Sequence, residues 1–126
     1  MKAVLQYRAS PGFRRQIDAL VPDWLDVTVI DEADKPAFAD AIQDTEILLH
    51  VLEAVTADVI ANAPGLRLIQ KIGVGVNTID LDAAGQRDVA VCNMPSTNSR
   101  AVAEMTLTLM LSVLRRVPYY DARMRA

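Results

Sequence analysis

The run Leu66-Arg67-Leu68-Ile69-Gln70-Lys71-Ile72 passes straight into Gly73-Val74-Gly75. A short segment rich in Leu and Ile that ends on glycines reads as a buried strand delivering a tight turn. Segments of the same kind recur at Lys2–Tyr7, Asp26–Ile30, Glu46–Leu52 and Val89–Cys92. Several lack the strict alternation of a half-solvated strand, which favours a sheet covered on both faces. Helix-compatible stretches lie between them at Gly12–Leu20, Lys35–Ile42, Thr56–Asn62 and Leu81–Gln86. Thr56 and Asp80 are good N-cap residues, and Ala63-Pro64-Gly65 stops the third helix. Strands joined through single helices pair in parallel, because parallel neighbours need a crossover. The expected fold is α/β: a flavodoxin-like, five-stranded parallel sheet with helices on both faces.

The last quarter departs from this rhythm. Asn98 or Ser99 can open a long helix over Arg100–Val117, which Pro118 then breaks or restarts. Its middle, Met105–Leu114, is apolar or small around nearly the whole circumference. A helix on one face of a small domain would show a polar stripe, so this one calls for cover on two sides. The expected division is a sheet domain over 1–98 and, over 99–126, an interdomain or dimerisation helix with the start of a linker to a further domain. Arg115, Arg116, Arg123 and Arg125 read as a solvated or partner-facing surface.

The 126 residues carry 13 Lys+Arg against 16 Asp+Glu, a net charge of −3, with 52% hydrophobic residues. That is one ordinary globular domain, and its charge gives no reason to expect nucleic acid. One Cys and one His exclude an internal disulfide and a zinc site, and a nucleophilic triad would have to be built on His50. No metal site is expected, and Cys92 reads as a core filler. No segment has a signal's apolar region or the 18 or more apolar residues of a membrane span. A soluble, cytoplasmic protein with no membrane partner is expected.

In an open parallel sheet, ligands bind beyond the carboxyl ends of the strands. That rule singles out His50-Val51-Leu52-Glu53, Gly73-Val74-Gly75 and Asn93-Met94-Pro95. Two glycines around one residue let successive N–H groups converge on an anion, although a plain tight turn would use them equally well. A dinucleotide fingerprint is excluded, because the third-glycine position is Thr78 and no acidic residue follows at the right distance. His50 is either near the ligand edge or a satisfied histidine at a strand end. Asn98-Ser99-Arg100 opens a helix, whose free N–H groups attract anions or are simply capped by Asn98.

The segment Lys71-Ile72-Gly73-Val74-Gly75-Val76-Asn77-Thr78-Ile79-Asp80-Leu81-Asp82-Ala83-Ala84 resembles the D-isomer-specific 2-hydroxyacid dehydrogenases. Val91-Cys92-Asn93-Met94-Pro95, Asn98-Ser99-Arg100 and Ala101-Val102-Ala103-Glu104 resemble the family's next blocks. The family includes phosphoglycerate dehydrogenase and the glyoxylate/hydroxypyruvate reductases. The likeness covers the chain in layout and is specific over residues 66–116.

The resemblance implies an NAD(P)-dependent oxidoreductase interconverting 2-oxo acids and D-2-hydroxy acids, with a small carboxylate as substrate. It places Gly73, Val74 and Gly75 at the substrate carboxylate and Val74 also against NAD or NADP. It places Asn98 at the substrate in some members, Thr106 at the nicotinamide, and His50, with Val51 beside it, where several members carry an Arg. Family dimers pack largely through the second domain and the long helix, which implies a homo-oligomer through Met105–Leu114. His50 in place of Arg disfavours a phosphorylated substrate, and Asn77 stands where Asp is common. The resemblance places the family's catalytic Arg, Glu and His and its dinucleotide loop beyond Ala126, so no catalytic residue is expected within these positions. Reducing a 2-oxo acid needs a proton donor, a polarising cation and a positioned cofactor. The chain is therefore expected to be a truncated substrate-binding portion, inactive alone. The competing expectation is a stand-alone carboxylate-binding or dimerisation module without catalysis.

Overall fold

The computed structural model describes residues Met1 through Arg125. Ala126, the last position of the segment expected over 99–126, lies outside the described residues. The chain runs β1 (Lys2–Gln6), α1 (Pro11–Leu20), β2 (Asp26–Ile30), α2 (Lys35–Ala41) and a 3-10 turn (Ile42–Asp44). It continues through β3 (Ile47–His50), α3 (Ala57–Ala61), β4 (Leu68–Lys71), α4 (Leu81–Gln86) and β5 (Ala90–Cys92). Two helices follow, α5 (Ser99–Leu114) and α6 (Val117–Arg125). The strands form one parallel sheet in the order β2-β1-β3-β4-β5. Strand order therefore reverses at β1, the switch point of a flavodoxin-type sheet.

Capping decides where each crossover helix begins. Ser10 Oγ accepts from the Phe13 N–H at 3.2 Å, with Pro11 in the first turn. Asp34, Thr56 and Asp80 accept in the same way from Ala37, Val59 and Ala83. Each cap satisfies one of the N–H groups that a helix start leaves open. The strands are shorter than the apolar runs that contain them. Glu46–Leu52 contracts to Ile47–His50 and Leu66–Ile72 to Leu68–Lys71, because the run ends turn out of the ladder.

The two faces of the sheet are filled unequally. Val4, Leu48 and Ile69 point to one side and pack with Phe38, Ile42, Ile60 and Ala84 from the α2, α3 and α4 side of the chain. The alternate residues Leu5, Leu49, Gln70 and Cys92 occupy the other side, in register across β1, β3, β4 and β5. Over that side lies α1, whose Phe13, Ile17 and Leu20 line a cavity with Leu5, Val27, Leu49 and Ile72. No residue of α1 is fully buried. Cys92 is exposed rather than a core filler, because it belongs to the edge strand on this thinly covered side.

The chain divides into two compact units, Met1–Pro95 and a second that begins at Ser96. In the second unit the long helix stops at Leu114, three residues short of the expected Val117. Pro118 has no N–H for the Leu114 carbonyl, and its ring would clash there. Arg116 takes a left-handed φ of 51°, and α6 restarts at Val117 with Pro118 in its first turn. Eight apolar side chains of α5, from Val102 to Leu114, are between 53% and 76% exposed. Among the described residues no helix is long and apolar enough to cross a membrane.

Candidate functional site

The carboxyl edge of the sheet gathers the loops after β1, β3, β4 and β5 in the first unit. Gln6, His50 and Lys71 are register partners across β1, β3 and β4, and all three are buried. Polar side chains so placed must find partners inside the protein. Nζ of Lys71 donates to the Val51 carbonyl, and Nε2 of His50 donates to the Glu53 carbonyl. The carboxylate of Glu53 pairs with Lys35 at the start of α2. These contacts fold the β3 loop back over its own strand end.

His50 is 2% exposed. Because Nε2 carries the proton given to Glu53, the neutral ring leaves Nδ1 bare, and Nδ1 is buried without a partner. The Thr78 hydroxyl lies 3.5 Å from Nε2. Burial holds the imidazole below its ordinary pKa; the hydrogen bond to Glu53 opposes this and the Lys71 charge adds to it. The ring is thus a neutral, inward-facing group, and the loop residues Val51–Glu53 form the outer surface.

Gly73 and Gly75 are glycines for separable reasons. Gly73 has φ +154°, and a Cβ there would sit 3.3 Å from Cε of Lys71. A Cβ on Gly75 would meet Oδ1 of Asn77 at 3.0 Å, a tight contact that the Asn77 side chain would have to relieve. Val74 between them is exposed, with its side chain 43% accessible. On one side the Ile72 N–H donates to the His50 carbonyl at 2.8 Å. On the other, Met94 N–H donates to the Gly73 carbonyl at 2.9 Å and Nδ2 of Asn93 to the Val74 carbonyl at 2.8 Å. Among the described residues the N–H groups of Val74 and Gly75 have no partner within the chain. With Lys71 packed beneath, the loop offers exposed amide donors next to a buried positive charge, which suits a carboxylate or similar anion.

The structure therefore brings His50, Val51, Gly73, Val74 and Gly75 to one edge of one unit. Asn98 and Thr106 belong to the second unit. Asn98 occupies the N-cap position of α5, but its side chain makes no capping hydrogen bond. Thr106 Oγ1 donates to the Val102 carbonyl at 2.8 Å, along its own helix. Lys71 is the residue that the sequence reading did not select for this site, while Asn93 was singled out with its loop but given no role. The signal for Lys71 was a lone cation inside an apolar strand run, which must be paired or strand-terminal. Asn93 carried only its position immediately after the last strand.

Among the described residues of the first unit, the glycine loop does not make a dinucleotide site. The glycine loop leaves β4 into irregular backbone, and the next helix, α4, begins only at Leu81. Within the first unit no helix N-terminus thus meets Gly73–Gly75 to hold a pyrophosphate. Among the described residues there is also no group of three or more His, Cys, Asp or Glu side chains able to hold a metal ion.

Residues 5–122 match the family model for the D-isomer specific 2-hydroxyacid dehydrogenase catalytic domain. D-3-phosphoglycerate dehydrogenase of Mycobacterium bovis is 35% identical over 108 residues, 85% of this chain and 20% of that protein. The Methanocaldococcus jannaschii enzyme of the same name is 36% identical over 101 residues, 79% of this chain and 19% of its own. The chain thus spans about a fifth of the length of these relatives. A crystal structure from Thermus thermophilus superposes with a TM-score of 0.85 at 30% identity, covering 99% of this chain and 40% of that one. D-lactate dehydrogenase of Aquifex aeolicus, solved with NAD and lactic acid, shares the fold with a TM-score of 0.78 at 20% identity, over 99% of this chain and 37% of its own. With the family model matched from the first strand to α6, the chain belongs to the D-isomer-specific 2-hydroxyacid dehydrogenases.

Proposed function

We propose that this chain is the substrate-binding portion of an NAD(P)-dependent oxidoreductase that interconverts 2-oxo acids and D-2-hydroxy acids. Residues 1–98 serve as the substrate domain, and 99–126 as an interdomain and dimerisation helix. The observation that carries the reading is the Gly73-Val74-Gly75 loop: at a strand's carboxyl end, with Val74 and Gly75 exposed and their two amide donors unused among the described residues. Those donors hold the substrate carboxylate, and Lys71 beneath them adds a favourable charge. Val51 and its loop form the neighbouring wall. The buried neutral His50 shapes that wall and does not clamp a phosphate. Asn98 and, for the nicotinamide, Thr106 complete the reading from the second unit.

By itself this chain performs no hydride transfer. The cofactor supplies the hydride when bound, whereas these residues bind and orient the acid. Proton delivery is not among their tasks, because the one histidine is buried, neutral and engaged with Glu53. A purified 126-residue chain given NADH with glyoxylate or hydroxypyruvate is expected to show no turnover, and steady oxidation of NADH would overturn this. The apolar circumference of α5 supports self-association through Met105–Leu114. Sedimentation should show concentration-dependent association that Leu109→Glu weakens; a monomer across micromolar concentrations would remove the dimerisation role.

A further inference from the structure

The geometry points to Asn93 as a positioning residue that sets the direction of the Gly75 amide donor in the Gly73-Val74-Gly75 loop, beside the Val74 donor that the Met94 backbone sets. The inference deepens the carboxylate reading above and rests on it for its functional meaning. Two consecutive carbonyls of the loop are taken by two consecutive residues beyond β5: Gly73 O by the Met94 N–H at 2.9 Å, Val74 O by the Asn93 side-chain amide at 2.8 Å. The described chain contains no cis peptide bond. In a planar trans peptide unit the N–H points opposite to its C=O. Drawing the Gly73 and Val74 carbonyls toward Asn93-Met94 therefore turns the N–H groups of Val74 and Gly75 the other way. Those two donors have no partner among the described residues.

A glycine-flanked peptide is free to flip, since neither Gly73 nor Gly75 has a side chain to restrict it. The loop's own sequence thus does not choose which edge presents donors. A flipped Val74–Gly75 unit would present a carbonyl oxygen, which repels a carboxylate. The Asn93 amide is a donor at this position, and only a donor satisfies the Val74 oxygen. Asn93 itself is exposed and follows the edge strand, so the sheet does not depend on it.

Asn93→Asp keeps the size and replaces the donor with an oxygen, while Asn93→Ala removes the contact. In 15N-labelled protein, both variants should keep wild-type amide shifts over β1–β4. They should change the N–H residual dipolar coupling of Gly75 and weaken oxamate binding about tenfold, the scale of one hydrogen bond. Unchanged couplings in both variants would overturn the positioning role. Changes spread across the sheet would overturn it as well, because Asn93 would then be a general structural residue. Altered couplings confined to 73–75, with no oxamate response even in the wild type, would uphold the positioning and sink the carboxylate reading instead.

Discussion

The two faces of the sheet are made from alternate residues of the same strands, and they have met different fates. On β4, Ile69 is fully buried, whereas Ile72, one residue past the end of that strand and on the opposite side, is 39% exposed. On β3, Leu48 sits in the central cluster while Leu49 lines a cavity beneath α1. Strand propensity is the same on both sides; what differs is the number of elements laid over each. Right-handed crossovers from β2 through β5 all travel in one direction and stack on one face. The single reverse step from β1 to β2 leaves α1 on the other. The contrast shows that apolar content fixes which segments are strands, while crossover direction fixes how many elements cover each face; beneath α1 only the most central positions, such as Leu5 at 1% exposed, are fully buried.

The largest test of this contrast is a matched pair of truncations. Ile69→Ala should lower stability by about 2–5 kcal/mol, as a buried aliphatic deletion leaves a cavity. Ile72→Ala should cost no more than about 0.5 kcal/mol, as for an exposed site. Urea titration of both variants measures the difference, and equal losses would show that the second face is as well packed as the first. Next in size is Gly73→Ala at the carboxyl edge, where φ +154° and the nearby Lys71 side chain oppose a Cβ. A loss of about 1–3 kcal/mol is expected from backbone strain. A wild-type midpoint would mean that the loop relaxes without penalty.

The packed face also contains His50, whose titration should reach global stability. The folded pKa of His50 lies below its ordinary 6.5, so the unfolded chain binds the extra proton first. Stability from this group is complete above pH 6.5 and falls as pH drops from there toward the folded value. Denaturation followed from about pH 8 to about pH 5 should show that decline, and His50→Asn should flatten it; an unchanged slope would place the linkage elsewhere. The smallest effect is a gain. A Cβ on Gly85 in α4 meets nothing within 4 Å. Gly85→Ala should therefore stabilise by about 0.4–1 kcal/mol through the unfolded chain, and a loss would reveal a contact at this helix.

Much of the site was legible for a simple reason. Gly73-Val74-Gly75 ends an apolar run, and a strand's carboxyl end in a parallel sheet is where ligands bind. Lys71 itself and the contact made by Asn93 were harder to read because the partners, the Val51 and Val74 carbonyls, are 20 and 19 residues away in sequence. Backbone carbonyls carry no residue-type signature, so no motif announces such a contact. Cys92 was misjudged for a related reason: residue type and strand position suggest burial, but they do not tell an edge strand on a thin face from a central one.

Local patterns by themselves determined the five strands, the capped crossover helices, the parallel sheet and the family. Turn residues, caps and apolar runs act over a few neighbouring positions, and these features need nothing more. Only the tertiary structure decided that His50 faces inward and neutral and that Cys92 is exposed. The same holds for the two carbonyls of the glycine loop, which are held from the β5 side. Those outcomes depend on which strands become neighbours, and that order, β2-β1-β3-β4-β5, joins residues far apart along the chain.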